Sequence, residues 1–254
     1  MKAFPPVLRW LVVGLGVLST ALWAGPPFYT DDPVPVDLHH WEFYLASQNF
    51  VTRDSVTGTL PHVEVNYGAL TGLQLHLIMP MAYAKPMGLP FQYGPGDIEL
   101  GAKYRFVEES RFWPQIGTFP HLELPAGSAS RGLGGGYVRV FLPLWLQKSW
   151  GAWTTYGGGG YWINPGPGNR NYWTFGWEAQ RDVSKSLTLG AEVIANSPSV
   201  AGKTGETAFN LGALLSVGKG QILMVSAGRD FHGANRFFAY AAYYWTWGPA
   251  GSGV

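Results

Sequence analysis

"GDIELGAKYRF", residues 96–106, decides how this chain folds. Asp97, Glu99, Lys103 and Arg105 stand on alternate positions, and Ile98, Leu100, Ala102, Tyr104 and Phe106 fill the others. A period of two marks a strand, because successive side chains leave a strand on opposite faces. One face is therefore apolar throughout, while the other carries two acids and two bases. A soluble sandwich could hold one such strand with its polar face in water. The fold depends on how often the pattern recurs.

It recurs along the whole chain. Trp41, Phe43 and Leu45 alternate with Glu42, Tyr44 and Ala46, and Val63, Val65 and Tyr67 alternate with Glu64 and Asn66. Leu73, Leu75, Leu77 and Met79 alternate with Gln74 and His76. Near 114–124 the pattern loosens, with Gln115, Gly117, His121 and Glu123 on one side. Val138 to Leu146 alternate with Tyr137, Arg139, Phe141 and Trp145. "AWTTYGGGGYWIN" (152–164) is aromatic at both ends and small in the middle, and further alternating runs surround Glu178, Glu192 and Asn210. "QILMVSAGRD" (221–230) and "RFFAYAAYYWTW" (236–247) complete about twelve strands. Single-chain bacterial barrels have an even number.

The connections point the same way. They run long then short in turn: 52–59, 68–71, 84–95, 107–112, 125–135, 147–150, 164–171, 181–185, 196–206, 217–220 and 230–235. Outer-membrane barrels combine long external loops with short periplasmic turns, whereas a Greek-key sandwich has no reason to alternate. The fold class expected is all-β, a transmembrane antiparallel up-and-down β-barrel spanning 38–247. Both termini fall on the periplasmic side. Tyr243, Trp245 and Trp247 on the last strand suit an interfacial aromatic girdle, followed by a tail at 248–254.

The start of the chain agrees with export. Lys2 and Arg9 precede an apolar run that ends in small residues at Ala24 and Gly25, the layout of a cleaved signal peptide over 1–24. The run is short of the ~20 residues that a spanning helix needs. "PPFYTDDPVPVDL" (26–38) is proline-rich and lacks either periodicity, so 25–37 reads as an irregular periplasmic lead-in. Its length would let it enter the barrel, where Asp31 and Asp32 could meet Lys103 or Arg105.

Composition fits the outer membrane. Charged residues are only 13 % of the chain, against ~25 % in typical soluble domains, and there are 35 Gly and 12 Trp. With no cysteine, disulfides and thiol catalysis are excluded. A formal net charge of +1 leaves no nucleic-acid footprint.

Parity assigns the lumen. The inward positions are Glu42, Glu64, His76, Asp97, Glu99, Lys103, Arg105, His121, Glu123, Arg139, Glu178 and Glu192. A charge facing lipid near the midplane costs ~2–4 kcal/mol, whereas the lumen can hydrate or pair it. If strands four to six pair as consecutive hairpins, Glu99, His121 and Arg139 share a height, with Asp97 and Glu123 one step further out. Two readings stay open: a selective polar constriction, or a network that braces a narrow lumen. Lumen glycines at 101, 176, 190, 212 and 228 read as places where strands bend.

Several stretches together resemble the MetA-pathway of phenol degradation family: "AGPPFYTDDP" (24–33), "HWEFYLASQNF" (40–50), "GDIELGAKYRF" (96–106), "HLELPAGS" (121–128), "SLTLGAEV" (186–193), "NLGALLSVGKG" (210–220) and "LMVSAGRDF" (223–231). The resemblance implies an exported outer-membrane barrel related to transporters of aromatic compounds, with no catalytic motif and no cofactor. Its partners are then outer-membrane lipid and lipopolysaccharide, plus an unidentified small permeant.

Enzyme chemistry finds no support in the sequence. His62, His76 and His121 take inward positions and His232 lies near a loop, but none adjoins a recognisable nucleophile motif. Their spacing suggests no metal site. "GLGGGY" (132–137) precedes a strand, so it is not a phosphate loop. The expectation is a passive channel for small solutes, aromatic or hydrophobic ones included, through a charged, aromatic-lined lumen. A closed barrel that binds a partner through its loops is the alternative, and a lipid-modifying enzyme comes third.

Overall fold

The computed structural model describes residues 26–249. The proposed signal peptide (1–24) and the end of the tail (250–254) lie outside the described residues. Fourteen strand segments form one sheet that closes on itself as a 12-strand antiparallel barrel. They are β1 (Trp41–Val51), β2 (Ser55–Leu70), β3 (Leu73–Pro86), β4 (Gln92–Pro95), β5 (Ile98–Val107), β6 (Gln115–Thr118) and β7 (His121–Leu124). β8 (Arg139–Trp150), β9 (Trp153–Ile163), β10 (Tyr172–Asp182), β11 (Leu187–Asn196), β12 (Glu206–Gly218), β13 (Gln221–His232) and β14 (Phe237–Trp247) follow. β4 with β5, and β6 with β7, are two halves of single staves.

Prolines cause both interruptions. Pro95 and Pro120 have no N–H to give to a ladder, so the segments break beside them. Pairing is kept across the second break: Tyr104 faces Thr118 and Gly101 faces His121 in one register. β1 pairs with β14 from Trp41↔Trp247 to Val51↔Phe237, which removes the free edges that an open sheet would expose.

Connections 71–72, 151–152, 183–186 and 219–220 share one end with both described termini. Loops 125–138, 164–171 and 197–205 share the other. Three expected lengths need correction, among them 84–95, which shrinks to 87–91 because β3 runs on to Pro86 and β4 begins at Gln92. The first loop is only 52–54, because "SVTGTLPH" extends β2 instead of forming a loop. On the turn end, 108–114 is the longest connection: Pro114 cannot join the ladder, and Ser110 closes the turn through hydrogen bonds with Trp113.

The outer face is apolar. Leu45, Leu75, Leu100, Leu142, Leu144, Val193, Leu211 and Val225 are all exposed. Trp41, Trp153, Trp245 and Trp247 are exposed near the turn end, and Tyr93, Trp173, Phe231 and Phe237 near the loop end. The inner face reverses this chemistry, with buried Glu64, Asn66, Gln74, Lys103, Gln147, Glu178, Glu192 and Asn210. Tyr44, Tyr156, Tyr240 and Tyr244 fill the gaps between them.

Candidate functional site: a plugged lumen with an aromatic vestibule

Residues 26–37, expected as a periplasmic lead-in, lie inside the ring of strands. The Glu192 carboxylate on β11 accepts the backbone N–H groups of Tyr29 (2.9 Å) and Thr30 (2.8 Å). Ser226 on β13 donates to the Pro27 carbonyl at 2.7 Å, and Gln74 on β3 accepts the Val36 N–H at 3.0 Å. Lys103 on β5 reaches Asp31 at 2.9 Å and Asp32 at 3.3 Å. Opposite walls thus satisfy the irregular backbone that the segment cannot satisfy itself.

The wall is shaped to take this plug. A Cβ on Gly212 or Gly190 would lie 2.6 or 2.7 Å from the Phe28 ring, and one on Gly176 would lie 3.0 Å from the Thr30 Cβ. These glycines, expected to ease bending, form the seat of Phe28 and Thr30. Gly101 plays a similar part toward Phe119, His76 and His121.

The structure separates the expected lumen residues into groups. Glu42, Glu64, His76, Glu99 and His121 form one network. Asn66 donates to Glu64 at 2.9 Å and to Glu42 at 3.3 Å. His76 lies 2.6 Å from Asn66 Oδ1 and 3.1 Å from Glu99, and His121 approaches the same Glu99 oxygen at 3.2 Å. Tyr244 donates to Glu42 at 2.9 Å. Lys103 belongs to the plug latch and also lies 4.8 Å over the Phe119 ring.

Other residues of the set stand apart. Glu123 pairs with Arg139, whose guanidinium lies 5.3 Å over Trp162. Arg105 turns to Gln115 (3.3 Å) and Glu108 (3.5 Å) near the turn end and does not meet the aspartates. Asp97 binds a loop: it accepts the N–H groups of Gly127 (2.9 Å) and Gly135 (2.6 Å). Glu178 and Glu192 face each other across β10 and β11 on the far wall. The expected common height holds for Glu99 and Arg139, but Glu123 joins them there in place of His121. Glu99 pairs with Glu123, and Glu123 with Arg139, while His121 faces Gly101. The longer 108–114 turn accounts for the offset, since it moves the centre of the hairpin to Arg111.

Above the plug, toward the loops, the lumen widens into a cavity of about 390 Å³. Tyr29 of the plug, Phe50, Phe141, Trp145, Trp162, Tyr172 and Phe238 line it, with Glu99, His121, Glu206 and Asp230 among them. Phe141 stacks on Trp162 with centroids 4.7 Å apart, and Trp162 on Tyr172 at 6.0 Å. Tyr29 meets Phe238 edge-on at 5.4 Å. A smaller cavity of about 70 Å³ lies between Glu42, Glu64, Lys103 and Pro35. This aromatic vestibule is absent from the expected charged set. Parity carries the signal, because Phe141 and Trp145 share the inward side with Arg139.

No family model matches the chain, and no curated protein matches its sequence. Solved structures do share its fold. The COG4313 outer membrane channel from Pseudomonas putida F1 superposes with a TM-score of 0.71 over 89 % of this chain and 100 % of that one, at 15 % identity. The NanC porin gives a TM-score of 0.54 at 6 % identity, covering 80 % and 98 %. The translocator domain of the autotransporter NalP from Neisseria meningitidis gives 0.50 at 10 % identity, covering 82 % and 87 %.

Proposed function

We propose that this protein is an outer-membrane channel for passive passage of small solutes, in which the segment 26–37 is a gate. The observation that carries the reading is the aromatic vestibule lying directly on that segment, with Tyr29 as a shared wall. The apolar outer face supports the membrane setting. So many exposed leucines, valines and tryptophans around one molecule exceed what a soluble monomer shows, and an apolar band between aromatic girdles suits lipid. The loop end then faces outside and the turn end the periplasm. The related folds of an outer membrane channel and a porin agree with this reading.

A solute would enter from the loops, lose water against Phe141, Trp162 and Tyr172, and wait above Tyr29. Stacking on rings favours planar apolar or aromatic solutes, as the resemblance to the phenol-degradation family implies. Each stacked pair contributes ~0.5–1.5 kcal/mol beyond area burial. Benzyl alcohol added to the folded protein should quench the emission of Trp145 and Trp162, and Phe141→Ala should weaken its binding about five- to tenfold. An unchanged affinity in Phe141→Ala would place the solute elsewhere.

Electrostatics should bias ions as well. Glu99, Glu206 and Asp230 line the vestibule, whereas Arg139 is held by Glu123. Reversal potentials in a salt gradient should show cation preference, reduced in Glu206→Gln. Anion preference would contradict the assignment.

The plug also favours a second reading, a barrel that stays closed and works through its loops. Conductance in planar bilayers separates the two. Discrete steps that grow when the plug contacts are weakened support a channel, and a silent barrel in every plug variant supports the closed reading.

A further inference from the structure

The rim of the loop end carries a second cavity, of about 410 Å³, outside the lumen contacts described above. Three arginines line it. Arg53 stands in the 52–54 loop, Arg229 on β13 and Arg236 just before β14. Register sets them on successive steps at the loop end: Gly228 faces Phe238 and Val51 faces Phe237, so Arg229 lies lowest, Arg236 one residue further out and Arg53 beyond it. The Arg236 N–H bonds the Val51 carbonyl at 2.8 Å, and the Asp230 N–H bonds the Asn235 carbonyl at 3.0 Å. The rim of three adjacent strands, β13, β14 and β1, therefore carries three arginines around one cavity.

Their surroundings leave them available. All three are exposed, and none forms a salt bridge among the described residues. Of the two carboxylates at the rim, Asp230 points inward and is occupied by Asn235, which donates to it through its backbone N–H at 2.7 Å. Asp54 is the other, and it is exposed. The cluster holds three positive charges against two carboxylates, Asp54 and the inward Asp230.

The position of Arg229 is the telling feature. It follows Leu223, Val225 and Ala227 on the outward parity, and Phe231, 69 % exposed and tilted against Phe209 at 5.0 Å, lies one step further out. Phe237 is exposed on the neighbouring strand. An arginine that faces outward among such residues belongs at the membrane surface, where its cost falls to ~0–1 kcal/mol. There a guanidinium fork matches phosphate oxygens in bidentate geometry.

We propose that Arg53, Arg229 and Arg236 form a binding site for the phosphorylated sugar headgroup of lipopolysaccharide, with its acyl chains lying on Phe209 and Phe237. The proposal rests on the reading above that the loop end faces outside in the outer membrane. Charge complementarity picks the occupant. A glycolipid with two phosphates offers paired anions and apolar chains from one molecule, and this rim offers arginines beside aromatic rings, with Arg229 level with Phe209. A free phosphate would engage only the arginines.

Native mass spectrometry of the folded full-length protein with bis-phosphorylated lipid A tests this directly. Wild type should retain one lipid A tightly. Removing one phosphate from the lipid should weaken binding several-fold, and inorganic pyrophosphate at equal concentration should fail to compete. Arg53→Gln/Arg229→Gln/Arg236→Gln should lose at least tenfold in affinity. The charge-matched Arg181→Gln/Lys185→Gln/Lys219→Gln at the turn end should bind as wild type. Equal loss in both triple variants, or pyrophosphate competing as well as lipid A, would overturn the proposal. Heat-modifiable gel mobility is read on the same samples. A protein that folds and inserts but shows no arginine-dependent lipid binding refutes the site alone, whereas failure to insert into bilayers refutes the membrane reading.

Discussion

Asp31→Asn/Asp32→Asn should convert a low-conductance barrel into one whose steps are several-fold larger and more frequent. Lys103 is 5 % exposed, and its ammonium is balanced by these two carboxylates of the plug. Removing both leaves a buried, unpaired cation, which costs ~3–5 kcal/mol. The cost falls on the plugged state alone, because Lys103 is hydrated once the plug withdraws. A shift of that size moves a plugged-to-open ratio by roughly two to four powers of ten. The segment 26–37 should also become sensitive to added protease, while the barrel keeps its heat-modifiable mobility. Adding Lys103→Met should reverse much of the effect, since the buried charge is then gone. Unchanged conductance and unchanged protection in the double variant would remove the latch from the account.

Gly212→Val should release the plug by a different route. The added carbon would lie within 2.6 Å of Phe28, a ring only 8 % exposed. Overpacking of this kind costs ~1–3 kcal/mol, and here the flexible partner is the plug while the wall is fixed by its ladder to β11 and β13. Conductance should rise about five- to a hundredfold in open probability. Phe28→Ala in the same chain should restore closure in part by emptying the space. If Gly212→Val conducts as wild type and Phe28→Ala has no influence, the glycines serve strand curvature alone.

The barrel was legible because its physics is periodic. Leu100, Tyr104 and Phe106 are exposed on one side of β5 and Lys103 is buried on the other, as alternation in 96–106 requires. Strand number followed from repetition of that pattern. The plug was less legible, since 26–38 has no period and its hydrogen bonds go to residues far along the chain, such as Glu192 and Ser226. Only its two aspartates hinted at a lumen partner. Gly190 and Gly212 were visible as lumen glycines, but what they admit cannot be read without the Phe28 contact. Asp97 shares the parity of Glu99, and yet it lies beyond the β5 ladder, where a returning loop claims it. Register between β5 and β7 depended on one turn length, and Pro114 set that length differently from the pattern of charges. An aromatic lining of the lumen was expected, but which residues make it was not legible, for a further reason. Phe141, Trp145 and Phe238 are inward and buried, but aromatic residues in a barrel sequence draw attention to the lipid side.

The central claim is that the N-terminal segment controls passage through the lumen. The chain has no cysteine, so one engineered pair is unambiguous. Thr30→Cys with Gly176→Cys places two Cβ atoms about as close as a disulfide requires, with 3.0 Å between them before relaxation against a usual ~3.5–4.5 Å. The measurement is single-channel conductance of this variant, with the bond verified by mass, before and after reduction in the same bilayer. The account predicts no steps while the segment is tied to β10 and wild-type steps once it is freed. Identical steps in both states would show that solutes pass without any movement of the segment, and the gate would be lost.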